Sequence, residues 1–154
     1  MGLRVCDTEA QFVAYCKEKL KTPEKIAAYV SNTVYYETGG DFDGWLPVAQ
    51  TLKSKHGNCT EIAGLEVKGL QAIGYDTACH LCIYGINKHG ERKGHALAAF
   101  RDSVGQNCYI EGSKVVHDSA PWQTLVQGIR TDWVKVEMFR FTDFEGNTIK
   151  GFGI

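Results

Sequence analysis

Two stretches near the amino terminus place apolar residues at helical spacing. The first covers residues 7–20, with Asp7 or Thr8 as N-cap, and the second covers residues 22–37, with Thr22 as its cap. A proline follows Thr22, and proline suits the first position of a helix because no N–H partner is needed there. The pattern therefore predicts two amino-terminal helices, which end at the glycine- and aspartate-rich run TGGDFDGWLP.

A third helix is predicted to begin near Cys59. Apolar residues recur after it at spacings that put them on one side of a helix, and Gly74 offers a C-terminal stop. These apolar residues are Ile62, Ala63, Leu65, Leu70 and Ile73.

After Gly74 the pattern changes from helical to extended. Short β-leaning segments follow one another, separated by loops rich in glycine, asparagine and charged residues. They are HLCIYGIN, HALAAFRD, NCYIEG, SKVVHD and WVKVEMFRF, with FEGNTIKGFGI as a terminal hairpin. Helices first and strands afterwards predict an α+β domain rather than a parallel βαβ fold.

The composition narrows the class of protein without identifying it. A chain of 154 residues with 44% hydrophobic and 23% charged residues is expected to form one soluble globular domain over residues 1–154. The formal net charge of −1 gives no reason to expect a nucleic-acid partner or a membrane surface. No apolar run approaches the roughly 18 residues that a membrane span requires.

The amino terminus, MGLRVCDTEAQF, lacks the apolar segment of a secretion signal. A cytoplasmic location is therefore expected, which would suit a bacterial cytosol or a phage-encoded product. In that environment the six cysteines are expected to be thiols rather than disulfides. The oligomeric state stays open.

Cys59 is the strongest candidate for a catalytic residue. It follows Gly57-Asn58 and stands at the predicted start of the third helix, where unpaired N–H groups and the helix dipole favour an anion. A thiol there loses its proton more easily and becomes a nucleophile. The plainer interpretation is that Cys59 is a small buried hydrophobic residue, as most cysteines are.

A catalytic thiol also needs a base and a group that orients the base. His95, just after a glycine at the start of a predicted strand, can supply the imidazole. Glu111 lies 16 residues later, which is enough for one strand, a turn and most of a returning strand. Cys59, His95 and Glu111 are thus the candidate catalytic set.

The order of these motifs resembles the transglutaminase-like, papain-fold cysteine peptidase superfamily. The resemblance covers a little over half the chain and includes Trp45, Pro47, GNC at 57–59, the apolar run to Gly74, the His95-Ala96 strand opening and the strand end near Glu111. It implies a papain-like α+β fold in which the nucleophile helix packs against an antiparallel sheet. It also implies thiolate attack on a peptide or carboxamide carbonyl, with a peptide or protein as substrate and no cofactor or metal.

One departure from the family pattern concerns the acidic residue, because the family usually has aspartate where this chain has Glu111. Asn107 and Asp118 are alternative residues for orienting His95. The tetrahedral oxyanion needs two donors, and the Cys59 N–H is one of them. Gln50 or Trp45 is the candidate for the second donor or for part of a substrate groove, although the favoured interpretation of Gln50 is an exposed polar residue on a short helix. Tyr35, Tyr36, Phe42 and Trp45 would either line that groove or form core that holds the glycine-rich loop.

Two other groups of residues compete for a functional role. Cys79-His80-Leu81-Cys82 offers metal ligands, but strand alternation would point its two cysteines in opposite directions. Packing in the core or at an edge is the favoured interpretation of this segment. His117-Asp118 is predicted to lie in a surface turn before Pro121.

Four amide reactions share the proposed chemistry: peptide hydrolysis, transamidation, glutamine deamidation and cleavage of a glycan–asparagine amide. Hydrolysis is the default, since excluding water requires walls that a short chain can hardly build. The alternative from another class is a catalytically inactive binding module on the same fold.

Overall fold

The computed structural model describes residues 5–37, 47–129 and 133–149. Helices and strands account for most of these ranges. The helices are α1 (Glu9–Tyr15), α2 (Pro23–Thr33), α3 (Val48–Ser54), α4 (Cys59–Ala72) and α5 (Trp122–Ile129), and a π-helical turn, Cys16–Leu20, continues α1. The strands are β1 (Tyr35–Tyr36), β2 (His56–Gly57), β3 (Cys79–Asn87), β4 (Arg92–Arg101), β5 (Asn107–Glu111), β6 (Lys114–Asp118) and β7 (Trp133–Thr142).

The main sheet has five antiparallel strands in the order β6-β5-β4-β3-β7. The short strands β1 and β2 form a separate parallel pair. Four helices precede the main sheet in the chain, so the predicted α+β class is confirmed.

The predicted caps hold the two amino-terminal helices. Thr8 accepts a hydrogen bond from the Gln11 N–H, and the Gln11 side chain returns to the Thr8 backbone, which completes a capping box. Thr22 caps α2 by accepting a hydrogen bond from the Lys25 N–H at 3.2 Å, and Pro23 is the first residue of the helix. Local sequence chemistry therefore decides where both helices begin.

The sheet separates two apolar cores. On one face, Ala98 and Phe100 of β4 pack with Val67 and Leu70 of α4. On the other face, Leu97 and Ala99 pack with three residues of α5, which are Trp122, Leu125 and Val126. The alternation of β4 thus gives the strand two buried faces, which is why HALAAF is nearly all apolar.

Some expectations were wrong or fall outside the described ranges. His117 and Asp118 end strand β6 rather than forming a surface turn, and α5 was not predicted. Thr142 pairs with Thr148, as a terminal hairpin requires, although the last residues of the predicted hairpin are not described. Across the described ranges, none of the helices combines the length and the apolar content that crossing a bilayer would need.

Candidate active site

Cys59 is the first residue of α4, as the sequence predicted. Asn58 is the N-cap: its side-chain oxygen accepts from the Glu61 N–H at 3.0 Å, and Glu61 Oε1 accepts from the Asn58 N–H at 3.4 Å. This capping box fixes the direction in which the helix starts. Glu61 therefore has a structural role at the helix start, consistent with its expected interaction with the helix dipole.

The glycine before the cap is required by close packing. A Cβ atom built on Gly57 would lie 3.1 Å from Glu61 Cβ and 3.3 Å from Thr51 Cγ2. A side chain at this position would require Glu61 or Thr51 to move by a few tenths of an ångström. Three consecutive residues thus have three roles: Gly57 allows close packing, Asn58 caps the helix and Cys59 supplies the thiol.

His95 and Glu111 lie on neighbouring strands and on the same face of the sheet. Strand β4 pairs with β5 from Ala98–Ile110 to Arg101–Asn107, and one step beyond Ala98 the register places Leu97 opposite Glu111. His95 is two residues from Leu97, so its side chain shares that face. Diagonal neighbours of this kind have Cβ atoms roughly 7–8 Å apart, within reach of two long polar side chains.

All three predicted catalytic residues line one cavity of about 540 Å³. It lies where β4 runs beyond its pairing with β5, so that residues from both faces of the sheet line it. Cys59 approaches from the helical side, where it packs against Ala63 and Ala96. The cavity is lined by Val30, Ser31, Val34, Tyr35, Tyr36, Cys59, Ile62, Glu66, His95, Ala96, Leu97, Ile110, Glu111 and Gly112.

Of the residues suggested for the substrate groove or as oxyanion donors, only some line the cavity. Tyr35 and Tyr36 line the cavity and are 71% and 57% exposed, so they form an open aromatic rim. Gln50 is exposed on α3 and is not among the lining residues. Trp45 and Phe42 lie outside the described residues.

The two alternatives to Glu111 lie at the far end of strand β5. Asn107 is four residues before Glu111, about 13 Å along the strand, and it pairs with Asp118. The Asn107 side chain donates to the Ala120 carbonyl at 3.0 Å, and the Asp118 side chain accepts from the Ala120 N–H at 2.9 Å. Both side chains thus bind the loop before α5, whereas Glu111 lines the cavity.

The six cysteines are all free thiols, and their burial separates one of them from the rest. Cys59 is half-buried, whereas the other five are buried. Burial raises the pKa of Cys16, Cys79 and Cys108 to about 12 and also raises that of Cys82. These four thiols stay protonated at neutral pH and are poor nucleophiles.

Glu66 is a cavity residue that the sequence patterns did not identify. It lies seven residues after Cys59, two turns along the same side of α4, with Ile62 between them. The side chain is buried, and burial raises its pKa well above the usual range of a carboxyl group. A glutamate within an otherwise apolar helix stripe was the signal in the sequence.

The segment Cys79–Cys82 follows the predicted strand alternation. Cys79 and Leu81 pack in the α5 core, and Cys82 packs with Ala63 and Ala96 on the helical side. The two thiols cannot share a metal ion, since the sheet separates them. A second cavity, of about 490 Å³, lies beside His80 and Phe144 and does not include Cys59.

His56, three residues before Cys59, does not line the cavity that Cys59 lines. It is exposed, it pairs with Tyr35 in the β1–β2 ladder, and its Nδ1 lies 3.1 Å from Glu37 Oε1. His95 is therefore the imidazole that shares the cavity with Cys59.

Comparison with known proteins agrees with this architecture. The model of the transglutaminase-like superfamily matches residues 7–136. No curated protein sequence matches the chain.

Solved structures with a similar fold include Legionella pneumophila LapG. One LapG structure has a TM-score of 0.56 at 17% identity and aligns with 83% of this chain and 69% of its own. Calcium-bound LapG has a TM-score of 0.58 at 16% identity, over 95% and 81% of the two chains. A Cytophaga hutchinsonii protein described as a candidate cysteine protease has a TM-score of 0.50 at 14% identity, over 76% of this chain and 43% of its own. At these identities the likeness shows the fold alone.

Proposed function

Because this chain belongs to the transglutaminase-like superfamily, we propose that it is a cysteine-dependent amide hydrolase acting on a peptide or protein. Cys59 is the nucleophile, His95 the general base and Glu111 the residue that orients His95. The observation that supports this assignment is the single cavity that these three residues line.

In the proposed reaction the Cys59 sulfur attacks the carbonyl carbon of the amide while His95 accepts the thiol proton. The tetrahedral intermediate then collapses, the C–N bond breaks, and His95 gives the proton to the leaving amine. Water attacks the resulting thioester, with His95 again as base, and releases the acid and the free thiol. No redox partner is consumed.

The oxyanion is proposed to accept a hydrogen bond from the Cys59 N–H. The first N–H groups of a helix have no partner within the helix, and Asn58 directs its cap at the Glu61 N–H instead. The negative oxygen would also lie at the positive end of the α4 dipole. Trp45, which precedes the nucleophile in the chain, is proposed for the second donor; Gln50, the other candidate, is exposed on α3 and does not line the cavity.

Water rather than an amine is proposed as the acceptor of the acyl group. The exposed tyrosines at the cavity rim, Tyr35 and Tyr36, leave the cavity accessible to solvent. An enzyme that favours transfer to an amine must keep water out of the acyl-enzyme. Product analysis with and without a lysine analogue separates the two outcomes, because only transamidation incorporates the amine.

Alkylation with iodoacetamide, followed residue by residue by mass spectrometry, tests the assignment. We expect Cys59 to react at least tenfold faster than the five buried thiols near neutral pH. His95→Gln should slow the alkylation of Cys59. His56→Gln is the matched control and should leave the rate unchanged, since His56 pairs with Glu37 and does not line the cavity.

Equal, slow reaction of all six thiols, or a Cys59 rate that His95→Gln does not change, would contradict the catalytic assignment. That result would favour a binding module in which the cavity receives a peptide without cleaving it. Hydrolysis of a peptide library by the wild type but not by Cys59→Ala would complete the positive case.

A further inference from the structure

A second group of reactive side chains lies away from the catalytic cavity, where the far ends of β5 and β6 meet the amino-terminal end of α2. Asp102 follows β4, Cys108 is on β5, and His117 is on β6 directly opposite Cys108. One ligand atom from each of these residues lies within 4.8 Å of the other two. We propose that Asp102, Cys108 and His117 bind a divalent metal ion of the zinc class.

The distances suit such an ion. His117 Nδ1 lies 3.2 Å from Cys108 Sγ and 3.0 Å from Asp102 Oδ2. Ligands bonded to one tetrahedral zinc ion at about 2.0–2.3 Å lie roughly 3.3–3.6 Å from one another. His117 Nδ1 therefore needs to move only a few tenths of an ångström from each of its two partners to admit the ion, and Cys108 and Asp102 already have ligand atoms within 4.8 Å of each other.

The Asp102 carboxylate is already oriented by its own turn. Its Oδ1 accepts from the N–H groups of Val104 at 3.1 Å and Gln106 at 2.8 Å. These bonds hold the carboxylate so that Oδ2 points at His117. Asp102 is only 11% exposed, and Cys108 is fully buried.

The His117 ring is oriented from its other nitrogen. Glu24, in the first turn of α2, has its Oε1 3.0 Å from His117 Nε2. A carboxylate on the far nitrogen is the usual partner of a metal-binding histidine, because it fixes the tautomer and leaves the near nitrogen for the metal. Phe100 packs edge-on against the ring and limits its rotation.

The choice of metal follows from the ligands. Thiolate with imidazole and carboxylate is a mixed set that suits Zn²⁺, or Co²⁺ in its place, whereas Ca²⁺ prefers oxygen ligands alone. His117 is 34% exposed, so water can reach a fourth coordination position. An ion here would join the β4–β5 turn, β5 and β6, with Glu24 of α2 in contact through the imidazole.

Cobalt spectroscopy on the full chain carrying Cys59→Ala tests the proposal, since the catalytic thiol then cannot contribute a signal. We expect one equivalent of Co²⁺ to give a thiolate-to-cobalt charge-transfer band in the near ultraviolet. Cys108→Ser should abolish the band, and Zn²⁺ but not Ca²⁺ should displace the cobalt. Cys79→Ala is the matched control, because Cys79 is equally buried but faces the other core.

Glu24→Gln provides a variant with little risk of unfolding, because Glu24 is 58% exposed. It should keep the band but weaken Co²⁺ binding roughly 10- to 100-fold, the usual effect of losing the partner of a metal-bound histidine. Absence of the band in the Cys59→Ala protein, or a band that survives Cys108→Ser, would overturn the proposal. Neither result bears on the alkylation of Cys59, so the two proposals fail separately.

Discussion

His80 on β3 donates a hydrogen bond from Nε2 to the carbonyl oxygen of Thr60, the residue after Cys59, at 3.1 Å. Gly64, one turn further along α4, makes the approach possible, because a Cβ there would lie 3.3 Å from that nitrogen. The histidine of the Cys79–Cys82 segment therefore ties the start of the nucleophile helix to the sheet. A positioning role of this kind replaces the metal chemistry that the segment first suggested.

Replacing His80 should loosen that connection. His80→Leu keeps much of the volume but removes the side-chain hydrogen bond to the Thr60 carbonyl, so we expect a loss of about 1–3 kcal/mol in the free energy of unfolding. Urea denaturation measures this loss. His89→Leu is the control and should change stability by less than about 0.5 kcal/mol, since His89 is exposed in a hairpin loop. Similar losses in the two variants would contradict the role of His80.

His80 should make the folded protein less stable at acidic pH. Burial lowers its pKa to about 4, against 6.5 for an ordinary histidine. As the pH falls below 6.5 the unfolded chain takes up a proton that the folded chain does not, so stability falls between pH 6.5 and about 4. The full effect is about 3 kcal/mol.

The measurement for this prediction is the difference in stability between the wild type and His80→Leu. That difference should shrink as the pH falls from 6.5 to about 4. Taking the difference cancels the contributions of titrating groups that both proteins share. A difference that stays constant from pH 7 to pH 4.5 would contradict the prediction.

The contribution of the Asn58 cap to stability should be measurable on its own. Asn58→Ala removes the acceptor for the Glu61 N–H and should cost about 1 kcal/mol of stability. Asn58→Asp retains a cap oxygen and should cost much less. Thermal unfolding of the three proteins tests this order, and equal melting temperatures would show that the capping box contributes little.

Glu111 should matter for the reaction and hardly for the fold. We expect Glu111→Gln to slow Cys59 alkylation and peptide hydrolysis by roughly tenfold or more, because the partner that orients a catalytic imidazole affects its proton transfer. Asp118→Asn, at the far end of the same strand pair, is the control and should leave both rates unchanged. If the two variants behaved alike, His95 would have a different partner.

Glu66 should behave as a neutral acid inside the cavity wall. Its raised pKa means that the unfolded chain ionises first as the pH rises above about 4.5, so this residue makes the fold less stable toward alkaline pH. Glu66→Gln has nearly the same shape and no proton to lose. We therefore expect the variant to gain stability relative to the wild type between pH 5 and pH 9, as measured by urea denaturation. A constant difference over that range would mean that Glu66 is ionised in the folded protein.

Sequence patterns predicted much of the local structure because the causes are local. Thr8, Thr22 and Asn58 each satisfy N–H groups within one helical turn of their own position, so their neighbours in the chain are enough to place these helix starts. The helix α5 was missed because PWQTLVQGI lacks a strong cap residue and is short. Its apolar side is explained only by the sheet that covers it.

The sequence by itself determined the chemical types of the candidate site: a thiol at a helix start, an imidazole on a strand and a carboxylate one strand later. The strand begins at Arg92, three residues earlier than predicted, so His95 lies within β4 rather than at its start. Tertiary structure decided which residues share a space. Strand register places Glu111 beside the cavity and Asn107 and Asp118 at the other end, and chain packing brings His117 to Glu24 across 93 positions. Strand pairing and the burial of carboxyl groups depend on residues that are distant in the chain. Local sequence patterns therefore cannot predict them.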